Sequence, residues 1–241
     1  MPLPTIATPT YELTLPSNGK KIKYRPFLVK EEKILILALE SQEQSEITNA
    51  VKDVLTHCIV TKGVNVEDLP TFDIEYVFLN IRAKSIGESI KINVTCPDDG
   101  ETRVPVTVYV DEIQVTKPKD HNKDIKLDDK MTLRMKYPSL TQFIESNFEI
   151  GATPQETVNK TFKVIADCID TIFTEEDAWD GAEYTEKERI EFIEQLNSKQ
   201  NKEVEKFFAT MPKLSHTFEV ENPNTKVKNK IVLEGLADFF G

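Results

Sequence analysis

One stretch, Pro70 to Val110, constrains the fold more than any other: a helix that runs directly into a two-stranded hairpin. Phe72, Ile74, Tyr76, Val77, Phe78, Leu79 and Ile81 occupy most of the circumference of a helix, so other elements must wrap it. After Gly87 the period becomes two. Ile90, Ile92, Val94 and Cys96 point one way, and Ser89, Lys91, Asn93 and Thr95 point the other. The turn Pro97-Asp98-Asp99-Gly100 sends the chain back through Val104, Val106, Val108 and Val110, again alternating. A hairpin with one buried face beside a buried helix is the expected centre of the molecule.

With 241 residues, the chain can bury roughly 70% of its unfolded surface and needs no covalent staple. Its three cysteines, Cys58, Cys96 and Cys168, lie far apart, and an odd number leaves one unpaired. They are expected as reduced, buried apolar groups in a cytosolic setting. The longest apolar run, Ile34 to Leu39, is far short of the ~20 residues that span a bilayer. Met1-Pro2-Leu3-Pro4 has neither the basic region nor the apolar stretch of a secretory signal, which predicts a protein that stays in the compartment of its synthesis or within an assembly.

Charge is concentrated. The chain carries a net −11, and between Asp170 and Gln195 ten acids face only two bases, Lys187 and Arg189. Such a surface repels phosphate, so nucleic acid is excluded as an expected ligand. Two readings of it stand: a solvated face that keeps the protein soluble, or a docking face for a basic partner.

Around this centre the other elements follow in order. Tyr11, Leu13 and Leu15 alternate into Asn18-Gly19, and Ile22 and Tyr24 alternate out, which predicts a first hairpin. Val29 to Glu40 opens with Glu31 and Glu32, favourable at a helix N-terminus. Ile47, Ala50, Val51, Val54, Leu55, Cys58 and Ile59 give a second helix one apolar stripe, with Gly63 as its expected stop. Lys117 to Asp124 reads as an exposed loop, and Ile125 to Leu127 and Met131 to Tyr137 as short strands.

Thr153-Pro154-Gln155-Glu156 is a helix start whose stripe runs Val158, Phe162, Ile165, Ala166 and Ile169. Thr185-Glu186-Lys187-Glu188 is a second capping box, and Ser198 is the expected cap of a last helix that Pro212 stops. His216, Phe218 and Val220, the turn Asn222-Pro223-Asn224-Thr225, and Val227, Asn229 and Ile231 form a terminal hairpin. The predicted class is α+β: antiparallel hairpins on a central buried helix, with a helical C-terminal part and a terminal hairpin. Two regions are expected, 1–138 as an α+β domain and 139–241 as a mainly helical part packed on the first.

Chemistry-bearing motifs are sparse. No G-x-S-x-G, H-E-x-x-H or glycine-rich phosphate loop occurs, and the three histidines have no sequence partner for catalysis. Cys58 follows His57, but adjacent helical positions point about 100° apart, a poor dyad. Cys96-Pro97-Asp98-Asp99-Gly100 resembles half of a zinc knuckle with Asp99 at the second cysteine's place, and one thiolate is too little for a tetrahedral site. Asp177 to Gly181 lacks the spacing of a calcium loop. No catalytic residue, metal or cofactor is expected.

Three candidate partner anchors remain. Trp179, the only tryptophan, lies in the acidic segment, and Phe239 and Phe240 close the chain. Each either packs on the protein itself or serves as an interface anchor.

Several longer blocks carry a resemblance. Tyr11-Glu12-Leu13-Thr14-Leu15-Pro16-Ser17 with Lys20 to Lys33, and Phe72-Asp73-Ile74-Glu75-Tyr76-Val77-Phe78-Leu79-Asn80-Ile81-Arg82-Ala83-Lys84-Ser85-Ile86-Gly87-Glu88, resemble the T4-like bacteriophage baseplate proteins. So do Phe207-Phe208-Ala209-Thr210-Met211-Pro212-Lys213-Leu214 and Leu233 to Phe240. The resemblance implies a structural component of the central hub of a contractile-tail baseplate, acting by protein–protein binding. Its alternative is a transient assembly factor of the hub that the virion does not retain. Implied partners are other baseplate or hub proteins, without nucleic acid or membrane. The implied location is the virion tail, after synthesis in the host cytoplasm. Some relatives carry cysteine knuckles in their hairpin turns; here Asp98-Asp99 and Asn222 to Thr225 stand there instead.

Overall fold

A computed structural model describes residues 6–41, 43–139, 142, 154–235 and 238. They fall into two compact units, one drawn from Met1–Thr116 with Lys213–Gly241 and the other from Lys117–Pro212. In chain order the first unit contributes β1 (Tyr11–Thr14), β2 (Lys21–Tyr24), α1 (Val29–Ser41), α2 (Gln44–Cys58), α3 (Thr71–Ile86), β3 (Ser89–Thr95), β4 (Arg103–Tyr109) and β5 (Gln114–Thr116). The second unit holds β6 (Asp124–Lys126), β7 (Thr132–Met135), α4 (Pro154–Asp167), β8 (Ile169–Phe173), β9 (Ala178–Asp180), α5 (Glu186–Glu194) and α6 (Ser198–Ala209). The chain then returns to the first unit with β10 (Lys213–Glu221) and β11 (Lys228–Glu234).

The α+β class holds, and α3 is the buried helix its composition requires. Phe72, Ile74, Val77, Phe78, Leu79 and Ile81 are at most 5% exposed. Gly87, at φ 128°, ends the helix and turns the chain into β3. Pairing of β3 with β4 runs from Ser89 opposite Tyr109 to Thr95 opposite Arg103. That register puts Ile90, Ile92, Val94 and Val108 against Leu79 and Ala83 of α3, where Leu214, Val220, Ile231 and Leu233 of the terminal hairpin join them.

All three hairpins of this unit close with the same turn: Leu15-Pro16-Ser17-Asn18-Gly19, Cys96-Pro97-Asp98-Asp99-Gly100 and Asn222-Pro223-Asn224-Thr225-Lys226. In each, the N–H of the fifth residue donates to the carbonyl of the first at 2.9 Å. Each fifth residue is left-handed, Gly19 at φ 73°, Gly100 at 70° and Lys226 at 64°. Proline supplies the fixed φ of the second position. Lys226 is the one non-glycine residue with positive φ among the described residues.

Five expectations change, the smallest at α6, where Asn197 rather than Ser198 is the cap because its Oδ1 accepts from both Lys199 and Gln200 N–H, at 2.9 and 3.1 Å. Helix α2 stops at Cys58, before Gly63, because the edge of β2 captures the next residues: Arg25 N–H donates to the Cys58 carbonyl at 2.9 Å and Val60 N–H to Lys23 at 2.8 Å. Ile169 leaves the helical stripe and opens β8, because the Cys168 carbonyl accepts from Lys136 N–H at 2.8 Å, which diverts the chain into the sheet. His121 is buried rather than solvated in the 117–124 loop. The units also do not divide at residue 138. Strands β6 and β7 lie before that point and pair with β8, in the sheet order β6-β7-β8-β9, while β10 lies after it and pairs with β5. The proposed cap at Thr153 lies outside the described residues.

Candidate partner-binding site

The second unit has a cleft of about 350 Å3 walled by Met131, Ile169, Ile172, Trp179, Tyr184 and Phe192. Sheet register builds most of it: β8 lies beside β9, so Ile172 stands directly opposite Trp179. The chain then folds tightly at Gly181, where a Cβ would sit 2.6 Å from the Ile169 carbonyl oxygen. Asp180 caps the short 3-10 turn that follows, accepting from Ala182 N–H at 2.9 Å.

Helix α5 forms the other wall. Its start is the capping box expected from Thr185 and Glu188: Thr185 N–H donates to Glu188 Oε2 at 2.8 Å, and Glu188 N–H donates to Thr185 Oγ1 at 3.3 Å. Hydrogen bonds from the Thr185 hydroxyl and amide hold the Glu188 carboxyl below its ordinary range. One turn on, Arg189 ties the cleft together. Its Nη1 donates to the Tyr184 carbonyl at 2.7 Å and the Gly181 carbonyl at 3.2 Å, and Nη2 to Asp167 Oδ1 at 2.6 Å. Its Nε is buried without a hydrogen-bond partner.

The surroundings are acidic. Glu175, Glu176, Asp177, Asp180, Glu183, Glu186, Glu188, Glu191 and Glu194 are all exposed. Cations answer few of them, with Lys163 3.5 Å from Glu186 and Lys187 3.6 Å from Glu191.

The other residues singled out from sequence lie elsewhere. Phe239 and Phe240 are outside the described residues. His57 is exposed, its Nδ1 2.7 Å from the Asp53 carbonyl, while Cys58 is fully buried and its thiol is pushed up to about 11 by burial. The two side chains do not form a pair. In the second unit His121 packs on Tyr137 and Phe207 at ring distances of 5.6 and 5.3 Å, with Nε2 3.0 Å from the Tyr137 hydroxyl. His216 lies in β10, stacked on Phe218.

The knuckle-like turns meet without cysteine pairs. Asn222 Nδ2 donates to Asp98 Oδ1 at 3.0 Å and Asp99 Oδ2 at 2.8 Å, Asn229 Nδ2 to Asp98 Oδ1 at 2.9 Å, and the Thr225 hydroxyl to Asp98 Oδ2. Amide N–H groups aimed at both carboxylates do not fit a cation between them. Among the described residues no group of three or more His, Cys, Asp or Glu is placed to hold a metal ion.

Sequence reading reached Trp179 but missed Met131 and Ile172, which the β6–β9 sheet brings to it from up to 48 positions away, and Arg189 and Phe192, which stand on helix α5. The capping box at Thr185 was the one local signal that a helix wall stood there.

A sequence model of the family described as T4 bacteriophage base plate protein matches residues 8–241, nearly the whole chain. The chain belongs to this family. No curated protein and no solved structure matches it. As a base plate protein it has its place in the phage tail baseplate and works among other baseplate proteins. Among the described residues no helix is long and apolar enough to cross a membrane.

Proposed function

We propose that this base plate protein is a structural component of the baseplate's central hub and acts by binding other proteins rather than by catalysis. The observation that carries the reading is the family match over 8–241. The chemistry of the side chains agrees with it. Burial pushes the thiols of Cys58 and Cys168 up to about 11 and about 12, which suppresses the nucleophilic thiolate. His57 Nδ1 meets the Asp53 carbonyl, and the hydroxyls beside His121, Thr210 at 3.1 Å and Tyr137 at 3.0 Å, belong to a part-buried aromatic cluster in which the Thr210 hydroxyl donates to the Lys206 carbonyl at 2.7 Å. Mass spectrometry of purified mature baseplates is the test: the chain is expected in fixed proportion to the hub, and its absence overturns residence.

The acidic surface of the second unit favours one other reading, a transient assembly factor. Exposed charge steers fast, salt-sensitive association, which suits a reversible encounter. On this reading hub intermediates hold the chain and mature particles do not.

A further inference from the structure

We propose that the Trp179 cleft is the docking site for a basic segment of a partner protein, which inserts one aliphatic or aromatic side chain between Trp179, Ile172 and Phe192. This rests on the protein-binding role proposed above and assigns that role a place and a partner chemistry.

Size and lining set the anchor. About 350 Å3 is near the lower end of the roughly 300–1,000 Å3 of ligand pockets, room for a side chain or two but not for a whole helix. Its walls are mainly apolar and aromatic, with Glu188, Arg189 and Gln195 the charged or amide side chains among them, so an apolar group fits best. Half-buried Trp179 on the edge strand β9 has the character of a binding hot spot, a large apolar face within a polar rim.

Charge sets the flanks. Glu175, Glu176, Asp177, Asp180 and Glu183 are exposed on the segment that carries Trp179 and have no ion-pair partner among the described residues. A neutral or acidic segment would leave them uncompensated, and a second copy of this chain would oppose acids to acids. Lysines or arginines on either side of the anchor would answer them.

The test pans a display library of random 12-residue peptides against the whole chain and titrates the enriched peptides by the emission of Trp179, the only tryptophan. Enrichment of Lys/Arg-flanked Leu, Ile, Met or Phe is expected. Changing that anchor to Gly should weaken binding at least 10-fold, and raising salt from 50 to 500 mM should weaken it further. Ile172→Glu should abolish binding. Glu176→Lys with Glu183→Lys, an exposed pair on the segment that carries Trp179, should weaken it several-fold with the circular dichroism spectrum unchanged. Acidic or anchorless consensus peptides, no saturable binding up to 1 mM, or equal binding by both variants overturns the proposal.

Capture of baseplate proteins by the same chains separates this inference from the role beneath it. Equal capture by wild type and variants removes the cleft and leaves the role, whereas no capture by wild type removes the role as well.

Discussion

Glu31 is a buried carboxylate of the first unit that joins β2 to α1. Its side chain is only 2% exposed, yet it is charged. Arg25 Nη2 donates to Oε1 at 2.9 Å and Leu28 N–H donates to Oε2 at 2.8 Å, so one carboxylate both pairs the arginine that follows β2 and closes the first turn of α1. Burial by itself would raise its pKa; the Arg25 hydrogen bond, the Leu28 amide and the Arg25 charge overcome that and hold it at about 2. Between the ordinary value of 4.5 and about 2, at about 1.36 kcal/mol per pKa unit, the ionised form contributes roughly 3 kcal/mol. Removing one member of a buried pair costs about 3–5 kcal/mol, the same range.

Because the folded value lies below the unfolded one, this contribution is complete above pH 4.5 and disappears as pH falls through 2. Glu31→Gln should therefore cost about 3 kcal/mol at pH 7, roughly 10 °C in melting temperature, and the gap to wild type should close as pH is lowered from 4.5 toward 2. Urea unfolding followed by far-ultraviolet circular dichroism at pH 7, 4 and 3 measures both. A loss below about 1 kcal/mol at pH 7, or a gap that is the same at pH 3 and pH 7, would refute the reasoning.

Three further outcomes are expected. Gly181→Ala forces a Cβ to 2.6 Å from the Ile169 carbonyl, so the second unit should lose about 1–3 kcal/mol and Trp179 emission should shift to the red in the folded protein. Lys226→Gly relieves a left-handed lysine at φ 64° and should stabilise the first unit by roughly 0.5–1 kcal/mol, read in urea unfolding; destabilisation would mean that the Lys226 side chain contributes more than its backbone costs. Burial, helped by the Lys117 and Lys123 charges, lowers the pKa of His121 below 6.5. The folded state thus favours the neutral ring, and the second unit's stability, followed through Trp179, should fall as pH drops below 6.5. His121→Phe should flatten that dependence.

The elements legible in the sequence are those whose partners are local. Helix α3 and the β3–β4 hairpin declared themselves by period and turn, and Thr185 and Glu188 by the capping box. What could not be read was set by distant pairing. Gln114 to Thr116 is three residues long and becomes a strand only because Lys213 to Ser215 lies beside it. Ile169 sits four positions after Ile165, a spacing that fits a helix as well as a strand that begins after one. Trp179 stood out by its rarity, yet the cleft around it exists only once β8 and β9 pair and Arg189 fastens Gly181 and Tyr184. Those contacts leave no trace in local composition.

The shared hairpin turn has a corollary. Its first position is leucine, cysteine and asparagine in the three copies, so the loop's shape is written in a proline and a left-handed residue and is indifferent to the side chain that starts it. A thiol in one turn and an amide in another can thus occupy the same place without redrawing the strands on either side, and in this chain the Asn222 amide uses that freedom to clasp the facing turn.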